Sequence, residues 1–134
     1  MAMEMQQLEH NAAGRKRGRR RVIPTDQILV GPRLDAQSAK RFARSMNRLV
    51  ESGSRECIID LSNTEAVDSS GFGSLIAAVR KIGDIGGVVA IVCSNVTVRR
   101  LFEVAGLTRF VPVVSRIEDA RLLMSASARA ALAS

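Results

Sequence analysis

The chain carries two kinds of apolar pattern, one typical of strands and one typical of helices. Continuous apolar runs at 57–61 (CIIDL) and 88–93 (VVAIVC) have the length of strands and predict strands that are covered on both faces. A third run at 110–114 (FVPVV) contains Pro112, which has no N–H to donate to a ladder. We therefore expect this run at a sheet edge.

Apolar residues that recur at intervals of three and four predict four helices. The first lies within 36–50, with Asp35 as its N-cap and Gly53 as its stop. The second follows the sequence DSSG at 68–71, and the third covers 98–105. The fourth begins at Ser115, which has capping-box spacing to Glu118.

Strands that alternate with helices predict one α/β domain, with a mixed sheet of about four to five strands and about four helices. The chain of 134 residues is long enough for one such domain with a real core. Residues expected in the core are Phe42, Ile58, Ile59, Leu75, Ile76, Val79, Val89, Ile91, Leu101 and Phe102.

The charge of the chain is concentrated at its start. The formal net charge is +7, and residues 1–21 hold six basic and two acidic side chains, most of them in GRKRGRRR at 14–21. We expect residues 1–20 to be a disordered basic tail, because the charge run and its glycines disfavour packing. The domain is then expected over 21–128, opening with a strand or small hairpin in RVIPTDQILVG, and 129–134 form a C-terminal tail.

Several function classes lack the residues they need. The apolar runs fall far short of the ~20 residues of a membrane span, and the first residues carry acidic side chains where a signal peptide is basic, so we expect a cytoplasmic protein. The one histidine, His10, lies in the tail. Cys57 and Cys93 lie within apolar runs and have no CxxC spacing, which predicts buried reduced thiols. We therefore expect no metal, no cofactor and no catalytic residue: the protein is not an enzyme.

The DSSG sequence stands where a strand ends and a helix begins. In the simplest interpretation Asp68 or Ser69 caps the helix and Gly71 permits a tight turn. Alternatively, a serine here accepts a phosphoryl group, because free N–H groups at a helix start partly stabilise an anion. A serine nucleophile is disfavoured, since the domain contains no histidine to act as its base.

Two longer motifs resemble one family. CIIDLSNTEAVDSSGFGSL at 57–75 and GGVVAIVCSNVTVRRLFEVAGLTRF at 86–110 are similar to motifs of STAS domains, in particular of free-standing bacterial anti-sigma factor antagonists; VGPRLDAQSA at 30–39 is a weaker match. The resemblance covers about 27–123 and implies an antagonist in a partner-switching pathway. Such a protein binds an anti-sigma factor with serine kinase activity, is released when that kinase phosphorylates it, and is reset by a serine phosphatase.

The resemblance also assigns residues. By motif position, the phosphorylated residue is Ser69, and Ser70 is its Ser/Thr neighbour. The partner-binding residues that the resemblance implies are Asp35, Asp68, Ser69, Ser70, Gly71 and Phe72.

Two alternatives stay open at this point. A STAS domain also serves as a scaffold of a stress-signalling complex or as an accessory subunit of a lipid-transport ATPase, and fold alone does not decide between duties. The basic tail is suited to weak contact with nucleic acid or an anionic membrane, although no aromatic residues are interleaved with its cations. The sequence leaves the oligomeric state undecided.

Overall fold

A computed structural model of the protein describes residues 25–133, with side chains described as far as residue 125. The predicted basic tail and the start of the predicted hairpin lie outside the described residues. The strands are β1 (Asp26–Leu29), β2 (Arg33–Leu34), β3 (Glu56–Asp60), β4 (Ala66–Val67), β5 (Val88–Val92) and β6 (Val113–Val114). The helices are α1 (Ala36–Glu51), α2 (Ser69–Asp84), α3 (Val96–Val104) and α4 (Ile117–Ala133), with a 3₁₀ turn at Leu107–Arg109.

The α/β fold with four helices is confirmed. Four strands form a sheet in the order β1-β3-β5-β6, and β2 pairs with β4 in a separate two-stranded ladder. All pairings between described strands are parallel, where the sequence predicted a mixed sheet. The last helix runs to Ala133 and so includes most of the expected C-terminal tail.

Helices cover both faces of the four-stranded sheet. Cys57 and Ile59 of β3 belong to the larger core, which also contains the buried faces of α1, α2 and α3. Ile58, the residue between them, packs with Ala120 and Met124 of α4 on the other face. Because successive strand residues point to opposite faces, a strand covered on both sides is apolar throughout. This explains the continuous apolar run at 57–61, and the predicted edge position of the third run is confirmed by β6.

The core prediction is wrong at Leu101, whose side chain is 39% exposed. The buried face of α3 is set by Val98 and Phe102. At 100° per residue, Leu101 lies about 80° away from the middle of that face. Of the other predicted core residues, Ile76 and Val79 are partly buried and the rest are buried.

Leu101→Ala is expected to lower the free energy of unfolding by about 1 kcal/mol or less, because the removed atoms already contact solvent. Val98→Ala, on the buried face of the same helix, is the matched control and is expected to cost about 1–3 kcal/mol. Urea unfolding followed by circular dichroism measures both. A larger loss for Leu101→Ala than for Val98→Ala would contradict this description of α3.

Within residues 25–133, no helix is long and apolar enough to cross a membrane. The prediction of buried thiols is confirmed, because Cys57 and Cys93 are both free and buried. Burial raises the pKa of the Cys57 thiol to about 12, with a smaller contribution from the charge of Asp26. Burial also raises the pKa of Cys93. Neither thiol is a reactive thiolate at neutral pH.

Candidate partner-binding site

The two aspartates singled out in the sequence lie side by side at the starts of two helices. In the short parallel ladder, Leu34 of β2 is paired with Val67 of β4. Asp35 and Asp68 directly follow these paired residues, and each is the N-cap of its helix. The amide of Asp68 donates to the carbonyl of Leu34 at 3.1 Å. The ladder therefore places the first turns of α1 and α2 next to each other at one edge of the fold.

Asp35 is held by a capping box. Its carboxylate accepts from the Ser38 amide at 3.1 Å, and its own amide donates to the Ser38 hydroxyl at 2.9 Å. The hydrogen bonds from the Ser38 amide and hydroxyl hold the pKa of Asp35 below its usual range. Asp35 thus presents a carboxylate at neutral pH. Its stabilising effect on the fold is present at neutral pH and is lost as the pH falls through the lowered pKa.

Ser38→Ala is expected to raise the pKa of Asp35 toward its ordinary value of 3.8. The hydroxyl hydrogen bond is lost while the backbone one remains, so the rise is partial. An NMR titration of the Asp35 carboxyl carbon measures it, with Ser45→Ala on the same helix as control. An unchanged Asp35 pKa in Ser38→Ala would show that the capping box does not form in solution.

Asp68 performs the equivalent task for α2. Its Oδ1 accepts from the amide of Gly71 at 2.8 Å, so of the two capping candidates in DSSG the aspartate is the cap. The helix begins at Ser69.

The sequence interpretation of Gly71 as a residue of a tight turn is wrong. Its backbone is not among the positive-φ glycines of the described chain, and it lies within the first turn of α2. The packing instead requires a residue without a side chain. A Cβ at this position would lie 2.0 Å from the carbonyl oxygen of Leu34 and 2.8 Å from its carbonyl carbon. Gly71 therefore sets how closely α2 approaches β2. This contact could not be predicted from the sequence, because Leu34 is remote from Gly71 along the chain.

Ser69 and Ser70 both lie at the start of α2 with exposed side chains. Their hydroxyls make no hydrogen bond with another described residue. Backbone N–H groups in the first turn of a helix lack intrahelical partners and carry partial positive charge. An anionic group added to either hydroxyl would lie in solvent at the positive end of the helix. The helix end would stabilise this group, and the negative charge of Asp68 would repel it. Exposure alone does not distinguish the two serines.

Phe72 completes the surface. It is partly buried, and its ring stacks on that of Phe102 with centroids 6.0 Å apart. The structure thus brings the predicted partner-binding residues together at the two neighbouring helix starts. The residues at this surface are Asp35, Asp68, Ser69, Ser70 and Phe72, and Gly71 is buried. The residues described contain no group of three or more His, Cys, Asp or Glu that could hold a metal ion.

Comparison with known proteins gives consistent matches. The family model described as STAS domain matches residues 28–120. A protein of Thermotoga neapolitana described as a candidate anti-sigma factor antagonist is 25% identical over 101 residues, which cover 73% of this chain and 89% of the relative. The anti-sigma F factor antagonist of Paenibacillus polymyxa is 28% identical over 83 residues, covering 60% of this chain and 69% of the relative.

A solved structure shows the same fold. The Bacillus cell fate determinant SpoIIAA in its phosphorylated form aligns with a TM-score of 0.61 at 18% identity, covering 78% of this chain and 95% of SpoIIAA. At this identity the likeness concerns the fold alone. The family match is of a different kind, because it extends over more than half of the sequence, from β1 to α4. On that match, the chain belongs to the STAS domain family.

Proposed function

We propose that this protein is an anti-sigma factor antagonist that acts by partner switching, with Ser69 as the switch. The observation that carries the proposal is the exposed Ser69 at the first position of α2, near the carboxylates of the two N-cap residues Asp35 and Asp68. The relatives named as antagonists and the phosphorylated form of SpoIIAA support it. In this account the site is a protein-binding surface and not an active site.

In the unphosphorylated state, the two helix starts dock on an anti-sigma factor that is also a serine kinase. The carboxylates of Asp35, a partly buried residue, and Asp68, an exposed one, offer acceptors to cations or N–H donors of the partner. Phe72, held by its ring contact with Phe102, adds a rigid apolar contact. Because the docked anti-sigma factor no longer binds its sigma factor, the sigma factor is free for transcription.

Phosphorylation of Ser69 ends this contact. The phosphate adds about −1.5 to −2 charge next to the Asp68 carboxylate, and burying it in an interface adds a desolvation cost and repulsion. The fold tolerates the group because the start of α2 stabilises an anion and the site is open to solvent. A serine phosphatase then restores the binding form. The antagonist is thus a substrate of both enzymes and supplies no catalytic group of its own.

The kinase partner is identified first. Each kinase-type anti-sigma factor encoded in the source genome is purified and incubated with the antagonist and ATP, and the products are mapped by mass spectrometry. One phosphate on Ser69 is expected, absent in Ser69→Ala and retained in Ser70→Ala, the matched control. Phosphate confined to Ser70 or to another residue would remove Ser69 as the switch. If none of these kinases adds a phosphate to the protein, a scaffold role of the STAS domain would be favoured instead.

A further inference from the structure

An apolar groove lies next to the Ser69 surface, between α2 and the chain that follows α3. It has a volume of about 380 Å³. Phe72, Ile76 and Val79 of α2 line one side, and Ala105, Leu107 and Phe110 line the other. A groove of this size with mostly apolar walls is typical of a binding site.

Further exposed apolar side chains lie in α3 and in the chain that follows it. Phe110 is 76% exposed, and Val104, one turn before the 3₁₀ segment, is 77% exposed. Leu101 on the same helix is 39% exposed. A small molecule in the groove would leave most of this surface in water, whereas a protein segment would cover it. Several exposed apolar side chains close together in the chain beside a groove are typical of interaction sites on proteins.

The charges around the groove favour an acidic occupant. Arg80 is part of the wall, and Arg109 directly precedes Phe110 in the 3₁₀ turn. The exposed acids on or capping these elements are Asp68, Asp84 and Glu103, and none of them lines the groove. Lys81 is turned to α1, where it donates to Asn47 at 2.6 Å. Carboxylates on the occupant would therefore find cations at the rim of an apolar site.

The groove is continuous with the Ser69 surface. Phe72 lines the groove and lies three residues after Ser69, so both are on the first turn of α2. A partner docked at the helix starts therefore reaches the groove without a gap.

We propose that the groove receives an amphipathic segment of the anti-sigma factor itself, with apolar side chains in the groove and carboxylates at its rim. This inference rests on the proposed function and names a second anchor of the same interface. An amphipathic helix laid in an apolar groove is a common mode of protein recognition. The groove anchor supplies affinity, and the Ser69 contact supplies control.

The test is titration calorimetry of the purified anti-sigma factor that phosphorylates the antagonist, against full-length variants. Phe110→Ala is expected to weaken binding about tenfold or more, as a truncated aromatic anchor does. Arg80→Glu is expected to weaken it as well and to slow association at low salt. Leu122→Ala is the matched control: it is 68% exposed on α4, on the other face of the sheet, and is expected to bind as the wild type does. Both Phe110 and Arg80 are exposed, so these variants are expected to melt as the wild type does.

Each other outcome has its own meaning. If Phe110→Ala and Arg80→Glu bind like the wild type while phosphorylation of Ser69 still abolishes binding, the groove proposal is overturned and the proposed function stands. If sedimentation shows that the chain alone dimerises and Phe110→Ala abolishes the dimer without weakening partner binding, the occupant is a second copy, which also overturns it. Failure of the wild type to bind the anti-sigma factor would overturn both.

Discussion

Gly71→Ala is expected to destabilise the fold by about 4 kcal/mol or more, a loss at the extreme of single substitutions. The added Cβ would lie 2.0 Å from the carbonyl oxygen of Leu34 and 2.9 Å from its Cγ. The obstacle is backbone and not the tip of a flexible side chain, so relief requires that α2 move away from β2. That movement would also break the hydrogen bond between the Asp68 amide and the Leu34 carbonyl.

Gly73→Ala is the matched control for this prediction. Gly73 lies on the same turn of α2, is exposed, and has open space where its Cβ would be. Alanine is the better helix former, so this variant is expected to be as stable as the wild type or more stable, by up to about 1 kcal/mol. Thermal unfolding of both variants measures the difference. Equal stability of the two would show that the close approach of α2 to β2 is not a feature of the folded protein.

Ser69→Asp is expected to fold normally and to bind the anti-sigma factor about 100-fold more weakly than the wild type. A carboxylate at the first position of α2 is compatible with the helix dipole, so the melting temperature changes little. In the interface this added carboxylate loses its water without a matching partner group, and its repulsion by the adjacent Asp68 becomes stronger as water is excluded. A loss of 100-fold corresponds to about 2.7 kcal/mol.

Ser70→Asp separates the position of the charge from its mere presence. It places the same carboxylate one residue further along the same exposed turn. A smaller loss of affinity is expected, because the neighbouring residue points about 100° away around the helix. If both variants lose affinity equally, the surface responds to net charge and not to Ser69.

The sequence predicted those parts of the fold that depend on local signals. Asp35 caps α1, and Gly53 follows its end with a positive φ of 91°, as the pattern indicated. Strands β3 and β5 could be predicted from the apolar runs at 57–61 and 88–93, because a strand that is covered on both faces is apolar throughout. The candidate site residues were predicted from motif resemblance, and the ladder of β2 with β4 explains why the two helix starts that carry them are neighbours.

Features that depend on tertiary contacts were not predictable in this way. Strands β2 and β4 have two residues each, too few to show a period. The predicted capping box at Ser115 does not start α4, which begins at Ile117, and the Ser115 hydroxyl instead accepts from Arg99. Phe110 belongs to an apolar run that indicated a strand, but the strand contains only Val113 and Val114.

The role of Ser69 as the switch is tested most directly with the natural modification. The antagonist is phosphorylated to completion by its kinase, the phosphate is confirmed on Ser69 by mass spectrometry, and both forms are titrated into the anti-sigma factor by calorimetry. We expect tight binding by the unphosphorylated form, a loss of about 100-fold or more on phosphorylation, and recovery after phosphatase treatment. Equal affinity of the two forms would contradict this role of Ser69.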